Sequence, residues 1–232
     1  MPPVAVVIPA YNEADRVGQT VAAALTLPGV DTVVVASDGS TDATVRIARQ
    51  AGAVVWRAAR NQGKAAAMLA GAEAVRVIDR RDPADGPRIL LFLDADLAGT
   101  AAGAGPLIEP VADGSADMTI AVFAKRVKQG GHGFVVGLAG AAIAHATGWR
   151  PAQPLNGQRC LTRSAFEAAR PLAAGFGVET GMSIDLKRLG MRIAEVEVDL
   201  AHRATGRDLS AQLHRARQFA DVARALAARM VI

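Results

Sequence analysis

The sequence has few cysteines and few aromatic residues, and both shortages narrow the classes of protein that it can be. Among 232 residues there is one cysteine, Cys160, which excludes an internal disulfide and a zinc cluster built from cysteines. A lone thiol suits a reducing compartment, so we expect a cytoplasmic protein. Aromatic residues make up 4% of the chain while alanine dominates its apolar content, which favours helices packed closely on a sheet over an aromatic-rich β-sandwich.

Long apolar runs and an N-terminal leader are missing as well. The apolar run over 134–144 is too short and too rich in glycine to span a bilayer. A strand-like pattern begins at Val4, so we expect no signal peptide. The formal net charge of +4 makes an anionic partner plausible, but no nucleic-acid recognition motif accompanies it. These features predict a soluble protein that does not bind nucleic acid.

One apolar stretch, 89–93, is followed immediately by two carboxylates, Asp94 and Asp96. Such a run after Gly86-Pro87 is typical of a buried parallel strand, and ligands of open α/β sheets bind beyond the carboxyl ends of the strands. Adjacent carboxylates repel each other, and Mg²⁺ bound to one or two carboxylates and a diphosphate relieves that repulsion. The stretch therefore indicates either a metal–diphosphate site or a solvated strand end, and the rest of the chain favours the former.

Strand-like and helix-like segments alternate over the first half of the chain. In chain order they occupy 4–8, 14–27, 32–36, 43–51, 54–56 and 64–78, ahead of the strand at 89–93. This rhythm predicts an α/β fold with a doubly wound, mostly parallel sheet flanked by helices. The second half is less regular, with strands predicted at 117–123 and 192–198, a turn that enters a strand at 155–162, and helices at 134–147, 163–170, 182–189 and 209–228. We expect a single domain with a nucleotide-binding half, 1–97, and an acceptor-binding half, 98–232.

The conspicuous polar residues of the first half each follow a strand: Glu13, Asp38, Lys64, Asp94 and Asp96. Their common position at one edge of the sheet favours a shared ligand over five separate solvated loops. Lys64 could meet a phosphate as a point charge, and Asp38 and Glu13 could accept hydrogen bonds from a base or a ribose. The first turn lacks G-x-G-x-x-G, and there is no G-x-x-x-x-G-K-[ST] loop, so neither common nucleotide fingerprint is present.

Four motifs in order and at characteristic spacing resemble family-2-like glycosyltransferases with the A-type fold. They are Val-Val-Ile-Pro-Ala-Tyr-Asn-Glu, Ser-Asp-Gly-Ser-Thr-Asp-Ala-Thr, Gly-Lys and Leu-Asp-Ala-Asp, all within the first 97 residues. The second half resembles the retaining glucosyl-3-phosphoglycerate synthases, at 154–157, 176–179 and 201–203. The resemblance implies a single-domain A-type fold, a homodimer, and transfer of a sugar, glucose from UDP-glucose, to an acceptor.

The resemblance also implies roles for individual residues. The uridine would be held by Pro9, Ala10, Tyr11, Glu13 and Asp38. Lys64 would lie near the nucleotide, and Asp94, Ala95 and Asp96 would form the Asp-X-Asp motif. Mg²⁺ or Mn²⁺ would be bound by Asp94, Asp96 and His202, with Asp96 as the direct carboxylate ligand and His202 as the third ligand.

Gly157 and Glu179 would lie next to the donor sugar. Glu179, Asp96 and Lys64 are accordingly the expected catalytic residues. The position of Glu179 also predicts a second role, at the N-terminus of a helix whose dipole a carboxylate stabilises.

The chain departs from the phosphoglycerate enzymes at the acceptor side. Phe134 and Val136 stand where that group has an arginine and a threonine that bind the acceptor phosphate, and Leu200 stands in place of another arginine. Gln158 and Arg159 replace a Glu-Tyr pair. Phe134 and Val136 cannot bind a phosphate through their side chains, which argues against 3-phosphoglycerate as the acceptor. The apolar run 134–143 is either ordinary core or the lining of a pocket for an apolar acceptor such as a polyprenyl phosphate. The acceptor is therefore expected to be a small molecule or a lipid phosphate, the latter with peripheral contact to a membrane surface.

Three functions follow from these observations. The first is a retaining, metal-dependent glucosyltransferase. The second is an inverting polyprenyl-phosphate glycosyltransferase, in which Glu179 or Asp185 would serve as the catalytic base. The third is a nucleotide-sugar-binding protein without transfer activity; a nucleotidyltransferase is a weaker fourth, since its usual glycine-rich activation loop is absent.

Overall fold

Seven strands form one mixed sheet in the order β3-β2-β1-β4-β6-β5-β7. The structure, a computed structural model, describes residues 1–82, 86–123, 133–201, 220–221 and 223–229, and of residues 133–135 and 176 the backbone alone. The strands are Val4–Ala10 (β1), Val30–Ser37 (β2), Val54–Arg57 (β3), Ile89–Phe92 (β4), Met118–Phe123 (β5), Arg159–Leu161 (β6) and Ile193–Val198 (β7).

Helices connect the strands and cover both faces of the sheet. They are Val17–Ala24 (α1), Thr44–Gln50 (α2), Lys64–Arg81 (α3), Glu109–Ala112 (α4), Gly133–Thr147 (α5), Arg163–Ala168 (α6) and Val178–Arg188 (α7), with 3-10 helices at Ala98–Leu107 and Gly175–Gly177. Within the described residues, none of the helices has both the length and the apolar character needed to cross a membrane.

The sheet is parallel except at β6. Strand β1 pairs in parallel with β2 and β4, β2 with β3, and β5 with β7. Strand β6 lies between β4 and β5 and is antiparallel to both. The predicted α/β fold with a mostly parallel sheet is thus confirmed, and the single antiparallel strand has a direct consequence for the site, because it brings the beginning of β6 to the carboxyl end of β4.

The strands read as continuous apolar runs because both faces of the sheet are buried. On one face Val4, Val6 and Ile8 pack beneath α1 and the 3-10 helix Ala98–Leu107. On the other face Ala5 and Val7 pack against α3, α6 and α7. The carboxyl edge of the sheet is left to polar residues.

Two helices begin away from their predicted starts, and one 3-10 helix was not predicted. The helix expected from 14 begins at Val17, and the one expected from 182 begins at Val178, because the 3-10 turn Gly175–Gly177 leads directly into it. Residues 98–107 form a 3-10 helix that the sequence did not predict, since this Gly- and Ala-rich stretch has no apolar periodicity. Of the predicted terminal helix, residues 223–229 are helical, and most of the rest lies outside the described residues.

Candidate active site

The ammonium of Lys64 lies between two carboxylates at the carboxyl edge of the sheet. Its Nζ is 2.8 Å from Asp94 Oδ1 and 2.8 Å from Glu179 Oε1. The side chains of Lys64 and Asp94 are 23% and 28% exposed, and that of Glu179 is 6% exposed. Three of the predicted catalytic and binding residues, far apart in the sequence, therefore meet at one point.

The electrostatic environment keeps Lys64 protonated. Burial by itself would lower the pKa of the Lys64 ammonium, but the charges of Asp94 and Glu179, with their hydrogen bonds, outweigh burial and raise it. Glu179 belongs to the first turn of α7, where the helix dipole stabilises a carboxylate, as the sequence indicated. The cluster is therefore a fixed positive charge held by two acids, one of which is almost fully buried.

Asp38 shapes the loop that leads into Lys64. Its carboxylate, 4% exposed, accepts hydrogen bonds from the backbone N–H of Gln62 at 2.8 Å and of Gly63 at 2.7 Å. Gly39, next to it, has a φ of +73°, and a Cβ there would overlap the backbone of Arg60 and Asn61. The sequence predicted that Asp38 binds a nucleoside; the structure adds that both of its oxygens already hold the chain segment in front of α3.

The loops after β1 and β2 are joined to each other. The backbone N–H of Asn12, a residue with a φ of +54°, donates to Ser40 Oγ at 3.1 Å, and Asn12 Oδ1 accepts from the N–H of Thr41 at 2.9 Å. The N–H of Glu13 donates to Thr44 Oγ1 at 2.9 Å. These bonds fix the segment that carries the predicted uridine-binding residues, in which Tyr11 is 48% exposed and Pro9 and Ala10 end strand β1.

The backbone around Asp96 is held by helix α1. Arg16 donates through NH1 to the carbonyl of Asp96 at 3.2 Å. Thr20 Oγ1 donates to the carbonyl of Ala95 at 2.8 Å and accepts from the N–H of Ala98 at 2.8 Å. Ala95 is buried and Asp96 is half-buried. The backbone that carries the two carboxylates of the Asp-X-Asp motif is thus fixed by hydrogen bonds with Arg16 and Thr20.

The segment before β6 supplies the other wall of the site. Gln158 Nε2 donates to Asp94 Oδ2 at 2.9 Å, and a Cβ at Gly157 would overlap Lys64 Nζ. Asn156 Nδ2 donates to the carbonyl of Ala121 at 2.8 Å, which ties this segment to β5. The sequence indicated Gly157 but treated Gln158 only as a departure from a family pattern; its contact with Asp94 had no sequence signal.

The donor groups around the Asp-X-Asp motif fit a divalent cation in part. In the described part of the chain, no three His, Cys, Asp or Glu side chains converge as a complete metal site. Asp94 accepts hydrogen bonds from Lys64 and Gln158, and Asp96 is the residue that the sequence resemblance implies as the direct oxygen ligand. The predicted third ligand, His202, lies outside the described residues.

The described chain approaches the Asp96 loop just before His202. Ala201 is the last described residue before His202. The hydroxyl of Thr100 donates to the carbonyl of Ala201 at 3.3 Å and accepts from the backbone N–H of Ala201 at 3.3 Å. Thr100 lies in the 3-10 helix that begins at Ala98, directly after Asp96. The residues present are therefore compatible with a cation bound by Asp96 and by a ligand from the segment after Ala201.

Comparison with known proteins identifies the family. Residues 5–165 match the family model for glycosyl transferase family 2. The chain belongs to this family. The match includes every predicted site residue up to Gly157 and excludes Glu179 and His202, so the family assignment rests on the nucleotide half and on the start of the acceptor half.

Solved structures of one enzyme resemble the whole chain. Glucosyl-3-phosphoglycerate synthase from Mycobacterium tuberculosis, in complex with Mn²⁺, UDP and glucosyl-3-phosphoglycerate, is 28% identical with a TM-score of 0.77, over 100% of this chain and 81% of that one. The same enzyme in complex with Mg²⁺ and UDP is 27% identical with a TM-score of 0.79, over 100% and 80%. The expected A-type fold is thereby confirmed.

Two curated proteins are also similar. Glycosyltransferase AglJ of Haloferax volcanii is 28% identical over 214 residues, which are 88% of this chain and 65% of that protein. The uncharacterized protein MJ1222 of Methanocaldococcus jannaschii is 26% identical over 210 residues, 83% of this chain and 79% of that protein. The chain thus spans just under two thirds of the length of the first of these relatives.

Proposed function

We propose that this protein transfers glucose from UDP-glucose to a small acceptor in a reaction that requires Mg²⁺ or Mn²⁺. The observation that carries the proposal is the placement of Lys64, Asp94 and Glu179 in one cluster at the carboxyl edge of a family-2 sheet. The similar mycobacterial enzyme, described in complexes with UDP-glucose, Mn²⁺ and phosphoglyceric acid, supports the choice of donor and cation.

The uridine is assigned to the joined loops after β1 and β2. Tyr11 offers an exposed ring to the base, and Glu13 and Asp38 lie on the two loops that flank it. Pro9 and Ala10 end β1 and form the floor. Because Asp38 already accepts two backbone hydrogen bonds, its contribution to binding includes holding the loop at Gln62 and Gly63 in place.

The cation is assigned to Asp96 and His202. Asp94 contributes through its hydrogen bonds with Lys64 and Gln158. When bound, the cation neutralises the charge of the diphosphate as it leaves. Lys64 stays protonated without the cation, because its two carboxylate partners raise its pKa, so it can donate a hydrogen bond to the diphosphate. Glu179, beside the donor sugar, accepts hydrogen bonds from it; no protein nucleophile is assigned.

The donor and the cation are tested by calorimetric titration of UDP-glucose and GDP-mannose, each with and without Mn²⁺. We expect UDP-glucose to bind more tightly with Mn²⁺, and Asp96→Asn to lose that increment. Asp15→Asn, which changes an exposed carboxylate near the same loop, is the matched control and should keep it.

Each other outcome contradicts a defined part of the proposal. Preference for GDP-mannose would favour the inverting polyprenyl-phosphate enzyme instead. An Asp96→Asn variant with unchanged Mn²⁺ dependence would exclude Asp96 as a ligand. Binding of UDP-glucose without transfer to any small acceptor would favour a nucleotide-sugar-binding protein, and no binding by folded protein would exclude both donors.

The assembly and the cellular location are proposals of the same kind. We propose a homodimer in the cytoplasm, as the sequence resemblance indicated. Sedimentation of the full chain at several concentrations tests the dimer directly.

A further inference from the structure

Arg159, the first residue of β6, is the largest fully buried side chain of the described residues, with 1% exposure. Its guanidinium donates only to neutral groups: Nε to the carbonyl of Asn156 at 2.9 Å, NH1 to Ser183 Oγ at 3.0 Å, and NH2 to the carbonyl of Pro154 at 3.3 Å. In the described part of the chain no carboxylate lies within salt-bridge distance of it, and Glu179 affects it through space.

Burying a guanidinium without a carboxylate partner costs folding free energy. Desolvation lowers the pKa of the Arg159 guanidinium to about 10, against an opposing effect from Glu179. An apolar side chain of similar volume would often fill the same space at no loss of stability. The buried charge therefore calls for an explanation beyond core packing, and its hydrogen bonds provide one.

The guanidinium holds both sides of the Lys64 cluster. On one side, Ser183 Oγ accepts from Arg159 and donates to the backbone carbonyl of Glu179 at 2.9 Å, so the first turn of α7 is tied to β6. On the other side, the bonded carbonyl of Asn156 directly precedes Gly157, the residue whose Cα faces Lys64. Lys64 thus sits between two segments that converge on the same buried side chain.

We propose that Arg159 is a positioning residue for sugar transfer, which holds Glu179 and Gly157 at their required separation around Lys64. The proposal rests on the proposed function for its kinetic consequences. Arg159 touches neither donor nor acceptor in this assignment; its planar fork, with donors in three directions, fixes the angle between the segment before β6 and helix α7 in a way that a single ammonium does not.

The matched control is Arg88, the other nearly buried arginine of the central strands. It is 3% exposed and pairs with Asp31 at 2.9 Å and Asp79 at 2.7 Å, next to the amino end of β4 and away from the site. Arg88→Met should lower the melting temperature, because it removes the arginine partner of Asp31 and one of the two arginine partners of Asp79. It should leave kcat unchanged at temperatures where the variant is folded.

Arg159→Met should lower kcat about 100-fold, the loss typical of misplacing reacting groups by about 1 Å. Its KM for the nucleotide sugar should change far less, because the loops after β1 and β2 are untouched. Arg159→Lys should restore part of kcat, and Ser183→Ala, which frees α7 alone, should lower kcat by a smaller factor. If Arg159→Met does not fold, the Arg159→Lys and Ser183→Ala variants still test the positioning role.

A second readout does not depend on transfer activity. The chain has four lysines, so ¹⁵N-lysine labelling with Lys64→Arg for assignment isolates the signal of the Lys64 ammonium. We expect this signal to shift or broaden in the Arg159 and Ser183 variants and to stay in place in Arg88→Met. An unmoved Lys64 signal, or a kcat loss shared equally by Arg88→Met, would overturn the positioning role. If the wild-type protein transfers no sugar, the proposed function fails while the lysine signal still decides the role of Arg159.

Discussion

Gly157 approaches Lys64 so closely that the smallest side chain, a single Cβ, would overlap the ammonium nitrogen. The same Cβ would also come within 3.2 Å of Asp94 Oδ1. Nothing in the backbone of Gly157 requires a glycine, since its φ lies outside the left-handed region. Position 157 is a glycine because Lys64 occupies the space that a side chain would fill.

Gly157→Ala is therefore expected to displace Lys64 and to lower the rate of sugar transfer by at least about 10²-fold. The protein should remain folded, because the added methyl group meets the end of a flexible side chain. Steady-state kinetics and a melting curve measure the two effects. Gly105→Ala is the control, because its Cβ would meet Pro28 at an ordinary 3.7 Å; equal activity losses in both variants would show that the space in front of Lys64 is not critical.

Asp38→Asn should weaken both the fold and donor binding. An amide in this buried position presents an N–H to one of the two backbone donors, Gln62 or Gly63, and leaves that donor unpaired. The expected cost is about 1–3 kcal/mol of unfolding free energy. Urea denaturation and donor titration measure the two losses. Asp15→Asn, an exposed change, should alter neither; a stable Asp38→Asn variant would contradict the bracing role of Asp38.

Cys160 should be inert in the native protein. Its side chain is fully buried in β6, and burial raises the pKa of the thiol, so the reactive thiolate is suppressed. We expect a thiol reagent at pH 8 to react more than about 10³-fold more slowly with native than with urea-unfolded protein, at one thiol per chain. Rapid reaction of the folded protein would show that β6 opens locally.

Asp117 and Arg192 should give the protein an acid-sensitive contribution to stability. The hydrogen bonds from the Arg192 side chain and backbone lower the pKa of the Asp117 carboxyl below its usual 3.8. A depressed folded-state pKa means that the contribution is complete above pH 3.8 and is lost as the pH falls through the lower, folded-state value.

Asp117→Asn should accordingly be less stable than wild type at pH 6, and the difference should shrink below pH 3.8. Urea unfolding at a series of pH values measures it. Arg192→Met should show part of this loss at pH 6, because the backbone N–H of residue 192 still donates to Asp117, and the double variant should add little to Asp117→Asn. Additive losses would mean that the two side chains do not act as a pair.

The sequence predicted the nucleotide half well because its signals are local. Apolar runs mark β1, β2 and β4, and the polar residue after each run follows from the direction of a parallel strand. Asp94 and Lys64 could therefore be placed at one edge before the structure was known. Their contact with Glu179 could be anticipated only from resemblance, because no local pattern links α3 to α7.

The acceptor half was harder to predict for physical reasons. A strand of three residues, β6, carries too few positions to show a period, and its antiparallel direction has no signature in the sequence. Arg159 reads as a surface residue by composition, since charged side chains are seldom fully buried. Gln158 could not be recognised as a partner of Asp94 without knowing that the start of β6 lies at the end of β4.

The chain that leaves β5 returns almost to its point of departure. Gln153 Nε2 lies 3.4 Å from the carbonyl oxygen of Phe123, and the side chain of Asn156 donates to the carbonyl of Ala121. The segment 124–152 therefore starts and ends at neighbouring positions. The ends of this segment are thus held together, and its helix α5 is anchored separately, because Ala139 and Ile143 pack in one buried cluster with Ile184 of α7. Phe134 and Val136, which the sequence resemblance places at the acceptor side, belong to this segment, whereas Lys64, Asp94 and Glu179 lie outside it.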